Sequence, residues 1–321
     1  MTTLGILKKM DITVILCTYN RCDSLRKTLS SIAASGVPDS VTWEILVVDN
    51  NSKDRTRETV EDFRRAYPNR FRYLFEPRQG KSYALNAGIS KALGDILVFT
   101  DDDVTFEPTW LRNLTAPLRD GQWVGAGGRT LPERSFSAPR WLKLDGIYAL
   151  GPLALFDRGL EACDLAEPPF GNNMAFRKEM LAKYGGFRTD LGPRPGTEIR
   201  SEDTEFGKRV LSAGERVRYE PSAIAYHAIP DSRVQKQYFL AWWFDKARAE
   251  IRELGTPSDK EWCVNGIPLY LFRRLAVWTL RWILALEPSQ RFSSKVNTWQ
   301  VAAGIIENYH RSRTAKSQAD A

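Results

Sequence analysis

The stretch "GDILVFTDDDV", residues 94–104, joins an apolar run to three consecutive carboxylates. The run predicts a short strand that is covered on both faces of a sheet. At an effective dielectric near 20, two charges about 5 Å apart repel by roughly 3 kcal/mol. A solvated acidic turn is one interpretation of the triplet. Its position at the end of a buried strand favours the other, a site for a hard cation that also addresses phosphate oxygens.

Around this stretch, strand and helix patterns alternate. The predicted strands are 12–18, 43–49, 71–76 and 95–100, and the predicted helices are 24–35, 54–67, 81–93 and 107–118, the last with Pro108 at its first position. This order predicts an α/β fold in which a mostly parallel, Rossmann-like sheet carries helices on both faces. Ligands of such sheets gather at the carboxyl ends of the strands, where Asp49 and Asp101 both lie.

The pattern changes in the second half of the chain. Residues 128–169 are rich in Pro, Gly and aromatic side chains and predict a long functional loop. Regular patterns then resume up to a strand-like segment that ends near residue 229. Three helical segments follow at 235–254, 268–287 and 296–310, and residues 311–321 are predicted to be a frayed tail.

The composition of the 321-residue chain limits its class. Hydrophobic residues make up 43%, so a substantial core is expected, and the net charge of +7 suits an anionic ligand, an anionic membrane surface or nucleic acid. Four scattered cysteines predict reduced thiols in a cytoplasmic location. The first residues lack the order of a signal peptide, and no stretch of about 20 residues is free of charge, so we expect no clean membrane span.

Two cations stand at the start of the third predicted helix, in "RQGKSYALN". The segment is not a P-loop, because the position that requires the first glycine holds Phe75. Arg78 and Lys81 nevertheless lie at a helix N-terminus, which is suited to phosphate. Ordinary surface cations are the alternative.

A second acidic group occurs in "SEDTEF", where Ser201 is the predicted N-cap and Glu202 and Asp203 fall in the first helical turn. Acids are favoured there by the helix dipole alone, so a purely structural role is open. His227 follows a strand-like run and, taken by itself, favours a structural role over that of a metal ligand.

The order of these segments along the chain resembles that of glycosyltransferase family 2. The matching segments are "VILCTYNR", "ILVVDNNSKD", "RQGKSYALNAGI", "GDILVFTDDDV", "FGNNMAFRKEML", "YGGF", "SEDTEFGKRVLSAG" and "AYHAIP". The resemblance covers roughly residues 11 to 230 and implies the GT-A fold. It implies a catalytic domain at 1–232, with a nucleotide-sugar half at about 1–127 and an acceptor half at about 128–232. A helical C-terminal extension at 233–321 would follow.

The resemblance also implies a role for each matching polar residue. The implied donor-binding residues are Thr18, Asn20, Arg21 and Asp49 around the nucleotide, Arg78 and Lys81 at the diphosphate, and Asp101 at the ribose. Asp101 and Asp103 would form the DxD motif and, with His227, would hold Mn²⁺ or Mg²⁺. The implied catalytic pair is Glu202 and Asp203, with Asp203 as the general base.

The implied reaction is an inverting, metal-dependent transfer of a hexosyl or N-acetylhexosaminyl group. The donor would be a nucleotide-sugar, UDP-linked, and the acceptor a hydroxyl of a glycan or lipid-linked saccharide in polysaccharide biosynthesis, with no nucleic acid involved. A sugar nucleotidyltransferase is one alternative, but it would need a Gly-rich loop where this chain has "CTYNR". A catalytically silent nucleotide-sugar-binding scaffold is the other, and it would be expected to lack Asp203 or the DxD acids.

The segment 267–287 carries Arg273, Arg274 and Arg281 among apolar residues. Three arginines argue against a membrane-spanning helix. Trp278 and its neighbours predict a helix that lies at a membrane interface, which would place the chain at the cytoplasmic face of a membrane. Packing against the catalytic domain, or against a second subunit in a homodimer, is the alternative.

Overall fold

The structure is a computed structural model that describes residues 10–134, 137–143, 147–195, 199–254 and 262–319. The chain divides into two compact units. The first comprises Met1–Arg134, Ala154–Pro195 and Glu202–Ala228, and the second comprises Ser135–Leu153, Gly196–Ser201 and Ile229–Ala321.

The first unit begins with a parallel sheet. Its strands are β1 (Met10–Thr18), β2 (Trp43–Asp49), β3 (Phe71–Phe75) and β4 (Gly94–Thr100), and they are joined by the helices α1 (Cys22–Ala33), α2 (Thr56–Ala66) and α3 (Lys81–Lys91). β1 lies between β2 and β4, all in parallel, and β3 pairs in parallel with β2. The α/β fold with helices on both faces is therefore confirmed.

The rest of this unit extends the sheet in mixed directions. The further elements are β5 (Val104–Phe106), α4 (Trp110–Arg119), β6 (Gly125–Pro132), β7 (Cys163–Asp164), β8 (Met174–Arg177), α6 (Lys178–Tyr184), α7 (Glu202–Ser212) and β9 (Val217–His227). Among the described residues the strand order is β3-β2-β1-β4-β8-β6-β9-β5, with β7 paired to β9. β8 is antiparallel to both β4 and β6, whereas β6 and β9 are parallel.

The alternation of side chains along each strand separates two apolar cores. Val14 and Val47 contribute to the cluster that contains residues of α1, α2 and α4. Ile15 and Val48, their sequence neighbours, contribute to the cluster on the opposite face with residues of α3, α6 and α7. Because successive strand residues point to opposite faces, a continuous apolar run is what a sheet covered on both sides requires.

The second unit is mainly helical. Its elements are α5 (Ile147–Leu153), α8 (Lys236–Leu254), β10 (Cys263–Val264), β11 (Ile267–Pro268), α9 (Leu269–Leu284) and α10 (Pro288–Ala319). Trp141 makes edge contacts with the rings of Phe239 and Phe292. Arg248 and Arg252 both donate to the buried carboxylate of Glu307, which ties α8 to α10.

Three local expectations are wrong. Residues 128–132 belong to β6 rather than to an irregular loop, and α10 continues to Ala319 instead of ending in a frayed tail. α4 begins at Trp110, so Pro108 lies in the preceding turn and is not the first helical residue.

Candidate active site

The ends of the parallel strands bring the first predicted site residues together. Thr18 and Asp49 are register partners at the carboxyl ends of β1 and β2, and both are buried. β4 ends beside them at Thr100, because Leu16 pairs with Thr100. The acidic triplet therefore starts at the edge where an open α/β sheet places its ligands.

The middle acid of the triplet, Asp102, is a buried anchor that the sequence motif did not single out. Its carboxylate accepts a hydrogen bond from the Thr18 hydroxyl at 2.7 Å and one from the Arg21 guanidinium at 3.1 Å. Its backbone carbonyl accepts a bond from the Ser24 hydroxyl at 2.8 Å. Burial raises the pKa of the Asp102 carboxyl to about 6, although Arg21 and Thr18 favour the charged form. These contacts fix the turn that presents Asp101 and Asp103.

Asp103 and His227 come together because β5 pairs antiparallel with the end of β9. Val104 is the register partner of His227, and the Ala228 N–H donates to the Asp103 carbonyl at 3.2 Å. The His227 Nε2 atom lies 3.5 Å from an oxygen of Asp103. The other oxygen of Asp103 accepts a bond from Arg21 at 3.0 Å.

Lys81 is the first residue of α3, and its side chain contacts two of the acids. Its Nζ atom lies 2.6 Å from Asp101 and 3.5 Å from Glu202, which is almost fully buried. Burial opposes the charge of Lys81, but Asp101, Glu202 and Asp203 together raise its pKa above the ordinary value. Burial also raises the pKa of Glu202, and Lys81 opposes that shift. The first acid of the triplet and Glu202 of α7 therefore contact one ammonium group, and Asp203 interacts with it electrostatically.

Asp203 is held in place by the backbone. One of its oxygens accepts the Gly171 N–H at 2.6 Å, and the other accepts the Thr204 N–H at 2.7 Å. The loop that supplies Gly171 is tied to the end of β4, since the Thr100 hydroxyl donates to the Asn172 carbonyl at 2.9 Å. A carboxylate has about four lone-pair sites, so two backbone bonds orient it and leave acceptor capacity for a substrate proton.

The predicted nucleotide residues lie around the ends of β1 and β2. Asp49 accepts bonds from the Tyr73 hydroxyl at 2.7 Å and from the Ser52 N–H at 2.9 Å. Asn20 has a positive φ of 53°, and its amide oxygen accepts the Lys53 N–H at 2.7 Å. Tyr73 was not among the predicted residues, because nothing in its own segment shows that it reaches a neighbouring strand.

The two cations of "RQGKSYALN" separate. Arg78 makes a two-pronged ion pair with Glu76 and stacks on the ring of Tyr83, and its side chain is two-thirds exposed. Lys81, by contrast, lies with the acids described above. Asn50 shapes this loop by donating to the Arg78 carbonyl and accepting the Gly80 N–H. The loop asparagine was missed, although "DNNS" is typical of a side chain that satisfies a turn.

The candidate metal ligands suit a cation whose remaining ligands come from a substrate. Within the described residues, no group of three His, Cys, Asp or Glu side chains converges as a metal site. Asp103 and His227 are a pair, one carboxylate and one imidazole. Mg²⁺ is commonly held by one or two carboxylates together with substrate phosphates, and imidazole is acceptable to Mn²⁺. A two-residue set therefore fits such an ion, whereas a site built from protein ligands alone does not occur there.

Known proteins with similar sequences include named glycosyltransferases and a protein of polysaccharide biosynthesis. The succinoglycan biosynthesis protein ExoM of Rhizobium meliloti is 29% identical over 237 residues, which are 73% of this chain and 70% of the relative. The glucosyl-dolichyl phosphate glucuronosyltransferase of Haloferax volcanii is 24% identical over 245 residues, 73% of this chain and 75% of the relative.

A solved structure of a glycosyltransferase has a similar fold. The mannosyltransferase PcManGT from Pyrobaculum calidifontis, in complex with GDP-Man and Mn²⁺, aligns with a TM-score of 0.56 at 20% identity and covers 97% of this chain and 76% of that chain. The GT-A fold with additional C-terminal helices is therefore confirmed. The sequence model of glycosyl transferase family 2 matches residues 13–185, more than half of the chain. The chain belongs to glycosyl transferase family 2.

Proposed function

We infer that this glycosyltransferase moves a sugar, with inversion, from a nucleotide-diphosphate donor to a hydroxyl of a glycan or lipid-linked saccharide. The observation that supports this most strongly is the ammonium of Lys81, which contacts Asp101 of the DxD motif and Glu202, the neighbour of Asp203. Lys81 brings the acids that would handle the donor and the acid that would activate the acceptor into one charged cluster. A bond to a diphosphate can be broken and a hydroxyl deprotonated at that cluster.

The leaving diphosphate gains negative charge as its bond to the sugar breaks. Arg21 and Lys81 supply two positive charges beside the triplet. Asp103 and His227, with Asp101 nearby in the chain, would hold Mn²⁺ or Mg²⁺, and such an ion would stabilise the developing charge as a Lewis acid. The similar mannosyltransferase carries Mn²⁺ with its nucleotide sugar, which supports this assignment.

Asp203 would take the proton of the acceptor hydroxyl. Its two backbone hydrogen bonds fix the carboxylate, and a positioned base typically contributes 10²–10⁴-fold to the rate. Glycosidases need a second carboxyl group to protonate their leaving group, whereas a nucleotide diphosphate leaves without a proton. One base that acts opposite the leaving group therefore gives a single displacement with inversion.

The donor proposed is UDP-linked. The buried carboxylate of Asp49 can accept an N–H from a uracil-like base, while Tyr73 and Ser52 hold its orientation. A guanine base also offers N–H donors, and the similar mannosyltransferase carries GDP-Man. Thermal stabilisation by UDP-sugars and GDP-sugars, each with Mn²⁺, decides between them. A lipid-linked acceptor is supported by the relative named for glucosyl-dolichyl phosphate.

The test of the base assignment is Asp203→Asn, with Asp120→Asn as the matched control on an exposed site at the end of α4. We expect Asp203→Asn to keep donor binding, measured by calorimetry, and to lose at least about 10²-fold in transfer. The control should retain both. Full transfer by the Asp203→Asn protein would overturn the assignment.

A further inference from the structure

The exposed apolar side chains of the second unit are concentrated in one segment. Most of the large hydrophobic residues that the structure exposes lie between Trp262 and Leu286, and these two are 83% and 98% exposed. Exposed hydrophobic residues that occur singly need no explanation, but a contiguous group marks an interaction surface.

Helix α9 has two apolar faces. One face contains Leu271, Leu275 and Trp278, which pack in a cluster with Val301 and Ile305 of α10. The other consists of residues spaced three and four apart, so that they share one side of the helix. These residues are Leu269, Phe272, Ala276, Leu280 and Ile283, and all are exposed. At about 100° per residue, the centre of this second face lies roughly 130° around the helix from the centre of the packed one, so the two faces are distinct.

The charges beside this exposed face are all positive. Arg273, Arg274 and Arg281 are exposed, and the sequence of α9 contains no acidic residue. Arg274 and Arg281 lie four residues after two further exposed apolar residues, Tyr270 and Val277 respectively, so they flank the exposed apolar side of the helix. The guanidinium of Arg281 stacks over the ring of Trp278, with its central carbon 4.8 Å from the ring centroid.

We propose that this face of α9 binds the surface of an anionic lipid bilayer. Apolar side chains that can enter the acyl boundary, flanked by arginines that meet negative headgroups, are what such a surface recognises. The helix would lie in the plane of the interface. In the described part of the chain no helix meets the length and apolarity needed to cross a bilayer. With 16 residues, α9 would be about 24 Å long, shorter than a hydrocarbon core of about 30 Å.

The proposal goes beyond sugar transfer, and a vesicle-binding experiment with the full chain tests it separately from transfer. Vesicles of phosphatidylcholine alone are compared with vesicles of equimolar phosphatidylcholine and phosphatidylglycerol by flotation at increasing salt. We expect binding to the anionic vesicles, weaker binding as salt rises, and little binding to the neutral ones.

Matched variants distinguish binding through this face of α9 from binding through the overall positive charge of the protein. Arg274→Gln with Arg281→Gln should weaken binding roughly thirtyfold, because each arginine near an anionic leaflet is worth about fivefold. Arg112→Gln with Arg119→Gln, also seven residues apart on an exposed side of α4, should leave it unchanged. These variants keep the proposed donor site, so donor binding should be unaltered in all of them.

A second pair tests the apolar contribution. Ile283→Ser should weaken binding about tenfold, and Leu160→Ser, at a residue 79% exposed in the first unit, should not. Equal binding to neutral and anionic vesicles, or equal losses in the control variants, would overturn the proposal. So would an absence of vesicle binding, including the case in which sedimentation shows a dimer that Ile283→Ser dissociates, because the face would then be a contact between two copies.

Discussion

The contact between Gly171 and Asp203 allows the proposed base to be displaced without changing its chemistry. The Gly171 N–H donates to an oxygen of Asp203 at 2.6 Å. A Cβ atom added at Gly171 would lie 2.9 Å from that oxygen and 3.1 Å from the Asp203 Cβ. Gly171 is not among the residues with positive φ, so alanine is compatible with its backbone.

The size of the effect follows from these distances. Ordinary contacts of a Cβ atom begin near 3.4 Å, so the carboxylate must retreat by about 0.5 Å. A misplacement of about 1 Å can cost 10²-fold, so half that distance corresponds to roughly tenfold in kcat. We expect no change in the KM for the donor, because the residues predicted to bind the nucleotide lie on other segments.

The assay measures release of the nucleoside diphosphate in the presence of acceptor, using the donor selected by thermal stabilisation. Gly36→Ala is the matched control, since a Cβ there meets only the Pro108 carbonyl oxygen, at 3.9 Å. It should have the parental kcat. An unchanged kcat for Gly171→Ala, with the protein folded by circular dichroism, would refute the view that the position of Asp203 matters for the chemistry. A rise in donor KM alone would contradict it as well.

Four further predictions concern the donor side of the site. Chelation with EDTA should abolish transfer, and Mn²⁺ or Mg²⁺ should restore it. His227→Gln should raise the Mn²⁺ concentration for half-maximal activity by at least about tenfold. Full activity in metal-free buffer would contradict both predictions. Lys81→Met should lower the free energy of unfolding by about 3 kcal/mol in urea titrations, because it leaves two carboxylates without their cation, and a loss below about 1 kcal/mol would argue against that pairing. Tyr73→Phe should weaken UDP binding about fivefold by calorimetry, because the carboxylate of Asp49 loses the hydrogen bond from the Tyr73 hydroxyl. An unchanged affinity would argue against a contact between Asp49 and the nucleotide.

The parallel half of the sheet could be predicted because each of its strands is an apolar run between turns. The segment "WEILVVD" predicts the bounds of β2 as the structure has them. β6 could not be predicted in the same way, because "GAGGRTLP" has almost no strand-forming residues. It forms a strand because β8 and β9 lie on either side of it and pair with its backbone. Its conformation depends on neighbours that are distant in sequence.

In the site, too, local features could be predicted from the sequence, whereas contacts between distant residues could not. That acids stand at the end of β4 follows from the sequence, but the partner of each acid does not. Asp102 looks identical to its neighbours in the triplet, yet it is the one that is buried against Thr18. Lys81 contacts a glutamate more than a hundred residues away, and no local pattern can indicate that contact.

Contacts with cations from other segments of the chain also reduce the repulsion between the acids of the triplet. Arg21 already contacts Asp102 and Asp103, and Lys81 already contacts Asp101. Each acid therefore has a cation from the chain itself, which reduces a repulsion of roughly 3 kcal/mol per pair. A diphosphate adds negative charge and a divalent ion adds positive charge, so a donor that arrives with its ion leaves this balance nearly unchanged. The protein cations hold the acids in place without a ligand, and in the proposed reaction the same cations would face the leaving diphosphate.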